Sequence, residues 1–280
     1  MVSIKLKIDR GKGWHEFDIR RFRKIIGRHS PDIRTAIGRW DTPSDRKSNR
    51  HCRIRLGAKI IIFDATMKKA IFWDNDGVLV DTERLYFAAT RQILATVGVA
   101  LSKDQFIELI LVQGKGAWHL AIEQGVSPNC IGDLRNQRDA LYSRLLSQDR
   151  SVIDGAGEVL EALHGHYVMG VVTSSRKEHF KLIHRSSGLL KYFDFILTGD
   201  DYIKYKPNPE PYLLAVQKSG FRKEECIAIE DSERGLKSAK SAGISCIVIP
   251  TELTKTGNFS QADKIAGNIK EILTELQSLG

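Results

Sequence analysis

Two carboxylates two residues apart, Asp74 and Asp76, are the first groups in this chain able to do chemistry; they stand in Asp74-Asn75-Asp76-Gly77-Val78-Leu79-Val80-Asp81-Thr82-Glu83. The apolar run at 70–73 that precedes them has the length and residue types of a buried strand. A carboxylate can attack, bind a metal or carry a proton, and a pair at this spacing can divide those tasks. Asp-x-Asp-Gly is also an ordinary polar turn. A calcium loop is a further alternative, with Asp74, Asp76, Gly77 and Glu83 in register, but Phe72 would then occupy a ligand position and a strand stands where that motif has a helix.

The residues that follow, in order, favour chemistry over a turn. The run at 167–172 ends in Thr173-Ser174-Ser175, a lysine appears in Lys204-Tyr205-Lys206-Pro207, and the run at 226–229 ends in Glu230-Asp231-Ser232. Short β-branched runs at 70–73, 167–172, 194–197, 226–229 and 245–249 alternate with helical patterns at 176–186, 208–218, 232–242 and 268–278. Such alternation predicts an α/β fold with a Rossmann-like parallel sheet, whose C-terminal strand ends share one edge. Two Asp, a hydroxyl, a Lys and an acidic pair would then converge there. Residues 82–150 have helical spacing throughout, which predicts an inserted α-helical cap domain over that edge.

In these residues the chain resembles the haloacid dehalogenase (HAD) superfamily, in its β-phosphoglucomutase-like phosphatase and phosphomutase branch with a helical cap. The resemblance runs from Met67 to about Leu279. It rests on Asp74-x-Asp76-Gly77, Thr173, Lys206 followed by Pro-x-Pro-x-Pro, and Glu230-Asp231 followed by Ser-x-x-Gly and Ser-Ala-Gly. The dehalogenases that name the family lack the second Asp, so Asp76 points to phosphate chemistry.

The resemblance implies a Mg²⁺-dependent phosphatase acting through an aspartyl phosphate, with Asp74 as nucleophile and Asp76 as general acid and base. Mg²⁺ would be held by Asp74, the backbone carbonyl of Asp76 and Asp231, with Glu230 direct or one water away; oxygen ligands suit this hard cation. Thr173, backbone N–H groups near Ser174 at a helix N-terminus, and Lys206 would hold the phosphate. A sugar phosphomutase is the alternative. Phosphoglucomutases of the family carry a cap His twelve residues after the nucleophile, where this chain has Tyr86. In the segment Gln113-Gly114-Lys115-Gly116-Ala117-Trp118-His119, Lys115 and Trp118 are candidate substrate readers; Trp118 as plain cap core and Lys115 as a solvated charge are the alternatives. The expected partner is a small phosphorylated metabolite, and a monomer is expected.

Composition sets the remaining bounds. The chain has 280 residues, 42% of them hydrophobic, with 23 Gly and a net charge of +9; this ordinary globular composition with a basic excess excludes disorder, collagen and a disulfide miniprotein. No run approaches a membrane span and no secretory pattern opens the chain, so the expected compartment is cytoplasmic. Cys52, Cys130, Cys226 and Cys246 form no paired spacing, which predicts reduced thiols. The charge is uneven: residues 1–66 hold 17 Lys and Arg against 7 Asp and Glu, while residues 67–280 hold 26 against 27.

Three readings of the basic segment stand side by side. Ile26-Gly27-Arg28 with Ser48-Asn49-Arg50-His51 faintly resembles a forkhead-associated (FHA) phosphothreonine-binding module, although that family has Arg directly after the Ser and a longer domain. Trp14, Phe17, Phe22 and Trp40 among 11 Arg would suit a nucleic-acid-binding arm. The favoured expectation is that Met67 is a natural start and residues 1–66 are an extension, so that no nucleic-acid partner follows from the charge. The expected organisation is thus 1–66 as extension, 67–81 with 151–280 as α/β core, and 82–150 as cap.

Overall fold

The computed structural model describes residues 68–149 and 151–279 in full and, before them, the backbone of four strands. The chain divides into two compact units, 1–65 and 66–280. In the first, β1 (Lys5–Asp9) pairs antiparallel with β2 (Trp14–Asp18), and β3 (His51–Leu56) with β4 (Lys59–Asp64). The Ile26-Gly27-Arg28 and Ser48-Asn49-Arg50 segments and Met67 lie outside the described residues.

The second unit is built on six parallel strands: β5 (Ala70–Trp73), β6 (Val168–Val172), β7 (Phe195–Leu197), β8 (Cys226–Glu230), β9 (Ser245–Val248) and β10 (Lys264–Ile265). Their spatial order is β10-β9-β8-β5-β6-β7. The chain therefore winds outward from β5 on one side, returns, and winds outward from β8 on the other. The crevice at that reversal, beyond the strands' C-terminal ends, is where open α/β sheets bind ligands.

Why β5 holds its place is legible in four residues. Ile71 and Trp73 enter one apolar cluster with Val159, Leu160 and Ile272, while Ala70 and Phe72 enter the opposite one with Tyr212 and Leu236. A strand alternates its side chains, so this run is buried on both faces of the sheet. Each large side chain buried there contributes roughly 1.5–3 kcal/mol. The end of β5, where Asp74 begins, is thereby fixed from above and below.

After β5, up to residue 149, the chain is helix and loop: α1 (Glu83–Ala95), α2 (Lys103–Phe106), a π-helical turn (Ile107–Val112), α3 (His119–Glu123) and α4 (Ile131–Gln148). These helices bury their own apolar cluster, including Ile93, Leu94, Phe106, Trp118 and Leu134. The remaining helices cover the sheet: α5 (Ala156–Leu163), α6 (Lys177–His184), α7 (Glu210–Ser219), α8 (Glu233–Ala242) and α9 (Ile272–Ser278). Among the described residues no helix is long and apolar enough to cross a membrane.

Candidate active site

Asp74 directly follows β5, and its N–H donates to the carbonyl of Ile229 in β8, 2.9 Å away, which ties the two strand ends together. Glu230 ends β8, and Asp231 follows it. The sheet thus brings Asp74, Glu230 and Asp231 into one group whose oxygens lie within 4.8 Å of one another. All three are buried.

Lys206 joins them from the loop before α7. Its Nζ donates to Asp74 Oδ1 at 2.7 Å, to Glu230 Oε1 at 2.7 Å and to the Val172 carbonyl at 2.8 Å. The Tyr212 hydroxyl donates to the same Glu230 oxygen at 2.6 Å. Burial opposes the charge on Lys206, but Asp74 and Glu230 outweigh it and hold its pKa above the ordinary value. The ammonium is therefore a fixed positive charge.

One cation does not balance this many carboxylates. Burial, reinforced by Glu230 and Asp76 and opposed by Lys206, pushes Asp74 up to about 7. Burial and the charges of Glu83 and Asp74 raise Asp231 well above its ordinary value. Among the described residues Asp231 Oδ2 has no hydrogen-bond partner, although it is buried. A buried carboxylate oxygen with no donor is costly unless something positive occupies its lone pairs. An all-oxygen donor set, an excess of negative charge and an orphaned acceptor together fit a hard divalent cation at Asp74 and Asp231. Glu230 Oε1 is already engaged by Lys206 and Tyr212, which places that oxygen in the role of holding Lys206.

Two glycines keep this cluster compact. Gly77 has φ of 84°, and a Cβ there would lie 2.3 Å from Asp231 Oδ2. At Gly235 in α8, a Cβ would fall on the Glu230 carboxylate, 1.8 Å from Oε2. Both positions are occupied by a carboxylate where any other residue would place a carbon.

Asp76 lies on the more open side of the site and is partly buried. The Thr82 hydroxyl donates to its Oδ1. Its Oδ2 accepts from the Ser175 hydroxyl at 2.8 Å, the Thr173 hydroxyl at 3.1 Å and Asn75 Nδ2 at 3.3 Å. Thr82 stands at the N-cap of α1 yet makes no side-chain capping bond. A capping hydroxyl is worth about 1 kcal/mol to a helix, so this one is committed to Asp76 instead.

The structure brings Asp74, Asp76, Thr173, Lys206, Glu230 and Asp231 to one edge. Ser174 is partly buried in the turn after β6, and α6 begins later than the sequence implies, at Lys177 with Arg176 as its N-cap. Lys115 is exposed on its loop. Trp118 is 7% exposed and belongs to the apolar cluster of the helical segment, with the Arg138 guanidinium 5.6 Å from its ring centroid. Its ring is covered by its neighbours, the arrangement of the core alternative for Trp118 rather than of a substrate reader. Tyr86 is likewise engaged, its hydroxyl accepting from Arg138 and its ring meeting Tyr142 edge-on.

Several residues here carry no signal that the sequence patterns expose. Ser175 and Asn75 reach Asp76, and Tyr212 reaches Glu230. Arg234 donates twice to the Lys206 carbonyl and once to the Ile110 carbonyl in the π-helical turn, linking the lysine loop to the helical segment. Glu83, in the first turn of α1, is pushed up to about 8 by burial and by Asp76 and Asp74. In the sequence Glu83 stands out only as the last position of the calcium-loop alternative.

His184, at the end of α6, is buried, and its pKa is depressed to about 4 by loss of solvent, against a pull from Asp76. Between its ordinary value of 6.5 and about 4, the unfolded chain binds a proton here that the folded chain does not. This contribution to stability is thus complete above pH 6.5 and falls with pH, by about 3 kcal/mol once pH passes below the folded value. Urea unfolding at pH 7 and pH 4.5 measures it: the parent protein is expected to lose more stability on acidification than His184→Gln.

The family model of haloacid dehalogenase-like hydrolases matches residues 71–249. The chain is similar to the phosphorylated carbohydrates phosphatase of Thermotoga maritima, 29% identical across 64% of this chain and 83% of that one. It is similar to the fructose-1-phosphate phosphatase YqaB of Escherichia coli, 26% identical across 63% of this chain and 94% of that one. Among solved structures, CbbY from Rhodobacter sphaeroides in complex with phosphate superposes with a TM-score of 0.64 at 26% identity, covering 75% of this chain and all of that one.

Proposed function

Because this chain belongs to the haloacid dehalogenase-like hydrolases, we propose that it is a Mg²⁺-dependent phosphatase of a small phosphorylated sugar, working through a phosphoryl group carried on Asp74. The observation that carries this reading is the placement of Asp74 between Lys206 and the acidic group at the crevice of the sheet. Two relatives named for phosphatases of sugar phosphates support the substrate class.

In this reading the carboxylate of Asp74 attacks phosphorus, and Lys206 offsets the repulsion between two anions. The hydroxyl of Thr173 and the backbone around Ser174 hold phosphate oxygens. Asp76 gives a proton to the leaving oxygen and then takes one from the water that releases phosphate from Asp74. Asp74, Asp231 and the Asp76 carbonyl would hold Mg²⁺, with Glu230 beside them; the ion supplies neutralisation of phosphate charge. Residues 67–81 with 151–280 serve as the catalytic core, 82–150 as the cap and 1–66 as an extension, and Lys115 remains the cap's candidate for a second anionic group on the substrate.

Tyr86 favours hydrolysis over a mutase. It stands where phosphoglucomutases of the family carry their cap histidine, and its hydroxyl is taken up by Arg138. A panel of sugar phosphates, assayed for inorganic phosphate release with Mg²⁺ and after chelation, tests the proposal. The expected result is metal-dependent release from at least one of them. Isomerised sugar phosphate without phosphate release would establish the mutase, and inertness toward every phosphomonoester would overturn the enzyme reading.

A further inference from the structure

The residue between the two aspartates, Asn75, is polar and completely buried. A buried amide has to place both of its ends. Its Nδ2 faces Asp76 Oδ2 at 3.3 Å, and its Oδ1 faces His184 Nε2 at 2.7 Å, a contact between residues 109 positions apart. Across the imidazole, Nδ1 lies 2.9 Å from Ser187 Oγ, which accepts from the Leu189 N–H at 3.2 Å.

The hydrogens in this chain have one assignment that satisfies every atom with a neutral ring. A carboxylate only accepts, so Asn75 turns its nitrogen to Asp76 and its oxygen to His184. An amide oxygen only accepts, so Nε2 carries the imidazole hydrogen. Nδ1 is then bare and accepts from the Ser187 hydroxyl, whose oxygen takes the Leu189 N–H. Every hydrogen points toward Asp76, and bonds aligned in this way polarise one another.

The other donors to Asp76 are the hydroxyls of Thr82, Thr173 and Ser175. A hydroxyl rotates, and an entering phosphate offers Thr173 and Ser175 better acceptors. The amide of Asn75 is held at its far end and has nowhere to turn. From this geometry we propose that His184 and Ser187, acting through Asn75, are positioning residues that keep the Asp76 carboxylate in its working orientation when phosphate draws the hydroxyls away. The proposal rests on the reading of Asp76 as proton donor and acceptor.

A purely structural role, in which Asn75 and His184 satisfy only each other, makes different predictions. With the sugar phosphate turned over fastest in the panel, His184→Leu is expected to lower kcat about tenfold with KM changed less than about twofold. His184→Gln, whose amide nitrogen can donate where Nε2 did, is expected to stay within about threefold of the parent kcat. The double variant Asn75→Leu with His184→Leu leaves no buried polar group unpaired, so its unfolding midpoint should return toward the parent value while kcat stays low. If kcat returns with stability, or if His184→Leu turns over at the parental rate, the proposal is overturned. Asp76→Ala serves as the reference, and adding His184→Leu to it should cost nothing further in kcat. If Asp76→Ala itself keeps full turnover, the failure belongs to the role of Asp76.

Discussion

Asp74→Asn is expected to reduce turnover by on the order of 10⁴-fold or more while the protein stays folded. The amide is the same size as the carboxylate but is not a competent nucleophile, so the step that forms the bond to phosphorus is lost outright. Folding should survive because Lys206 keeps two other acceptors, Glu230 Oε1 at 2.7 Å and the Val172 carbonyl at 2.8 Å. The substitution also removes one of the buried negative charges that crowd this cluster, a charge that burial already disfavours by pushing Asp74 up to about 7. Phosphate release, measured beside thermal unfolding, checks both halves of the expectation. Appreciable phosphatase activity in a folded Asp74→Asn protein would sink the assignment of the nucleophile.

The second large effect is expected at Asp76, and it differs in kind. Asp76→Ala should lower steady-state turnover by about 10²–10⁴-fold, the usual worth of a general acid and base. Attack by Asp74 does not need Asp76 when the leaving group departs without a proton. With p-nitrophenyl phosphate, this variant should therefore release one equivalent of nitrophenol in a burst and then stall. Intact-mass measurement after acid quench should show one added phosphoryl group, absent when Asp74→Asn is combined with it. The partly open position of Asp76, beside the Thr173 and Ser175 hydroxyls, is compatible with proton exchange at the cleft. A variant that attacks at the parental rate and shows neither a burst nor an added phosphoryl group would remove Asp76 from the hydrolytic step.

Much of this arrangement was legible before any coordinates. The strands read at 70–73, 167–172, 194–197, 226–229 and 245–249 differ from the observed ones by one residue at an end or not at all. They are continuous β-branched or aromatic runs bounded by polar turns, the pattern of strands buried on both faces. The strand at Lys264–Ile265 escaped notice because two residues have no period. The π-helical turn at Ile107–Val112 escaped for a related reason: its apolar run matches an α-helix, and the wider winding shows only in backbone bonds such as Gln113 N–H to Glu108 O at 2.9 Å.

The helical segment after β5 shows what composition leaves open. Trp118 sits in a Gly-rich loop beside Lys115 and His119, a texture that suits a binding segment, yet its ring is closed into the apolar cluster. A large aromatic at a loop end gains more from burial than from exposure, and the flanking glycines let the loop fold it inward. Arg138 and Tyr86 pair across 52 residues. Neither belongs to a motif, so neither announces the other.

Which groups meet at the crevice is written in the strand pattern. A parallel sheet sends every strand's C-terminal end to one edge, so Asp74, Thr173 and the Glu230-Asp231 pair were bound to converge once the strands were recognised. How those groups are held follows from the packing of the elements. That includes Lys206 bridging two carboxylates, Asp231 Oδ2 left without a donor, and His184 reaching Asn75 and through it Asp76. Strand and helix periods record which face a residue presents to its own element. Hydrogen bonds between residues a hundred positions apart depend on how elements pack at distances of about 3 Å, and no local period in the chain encodes that.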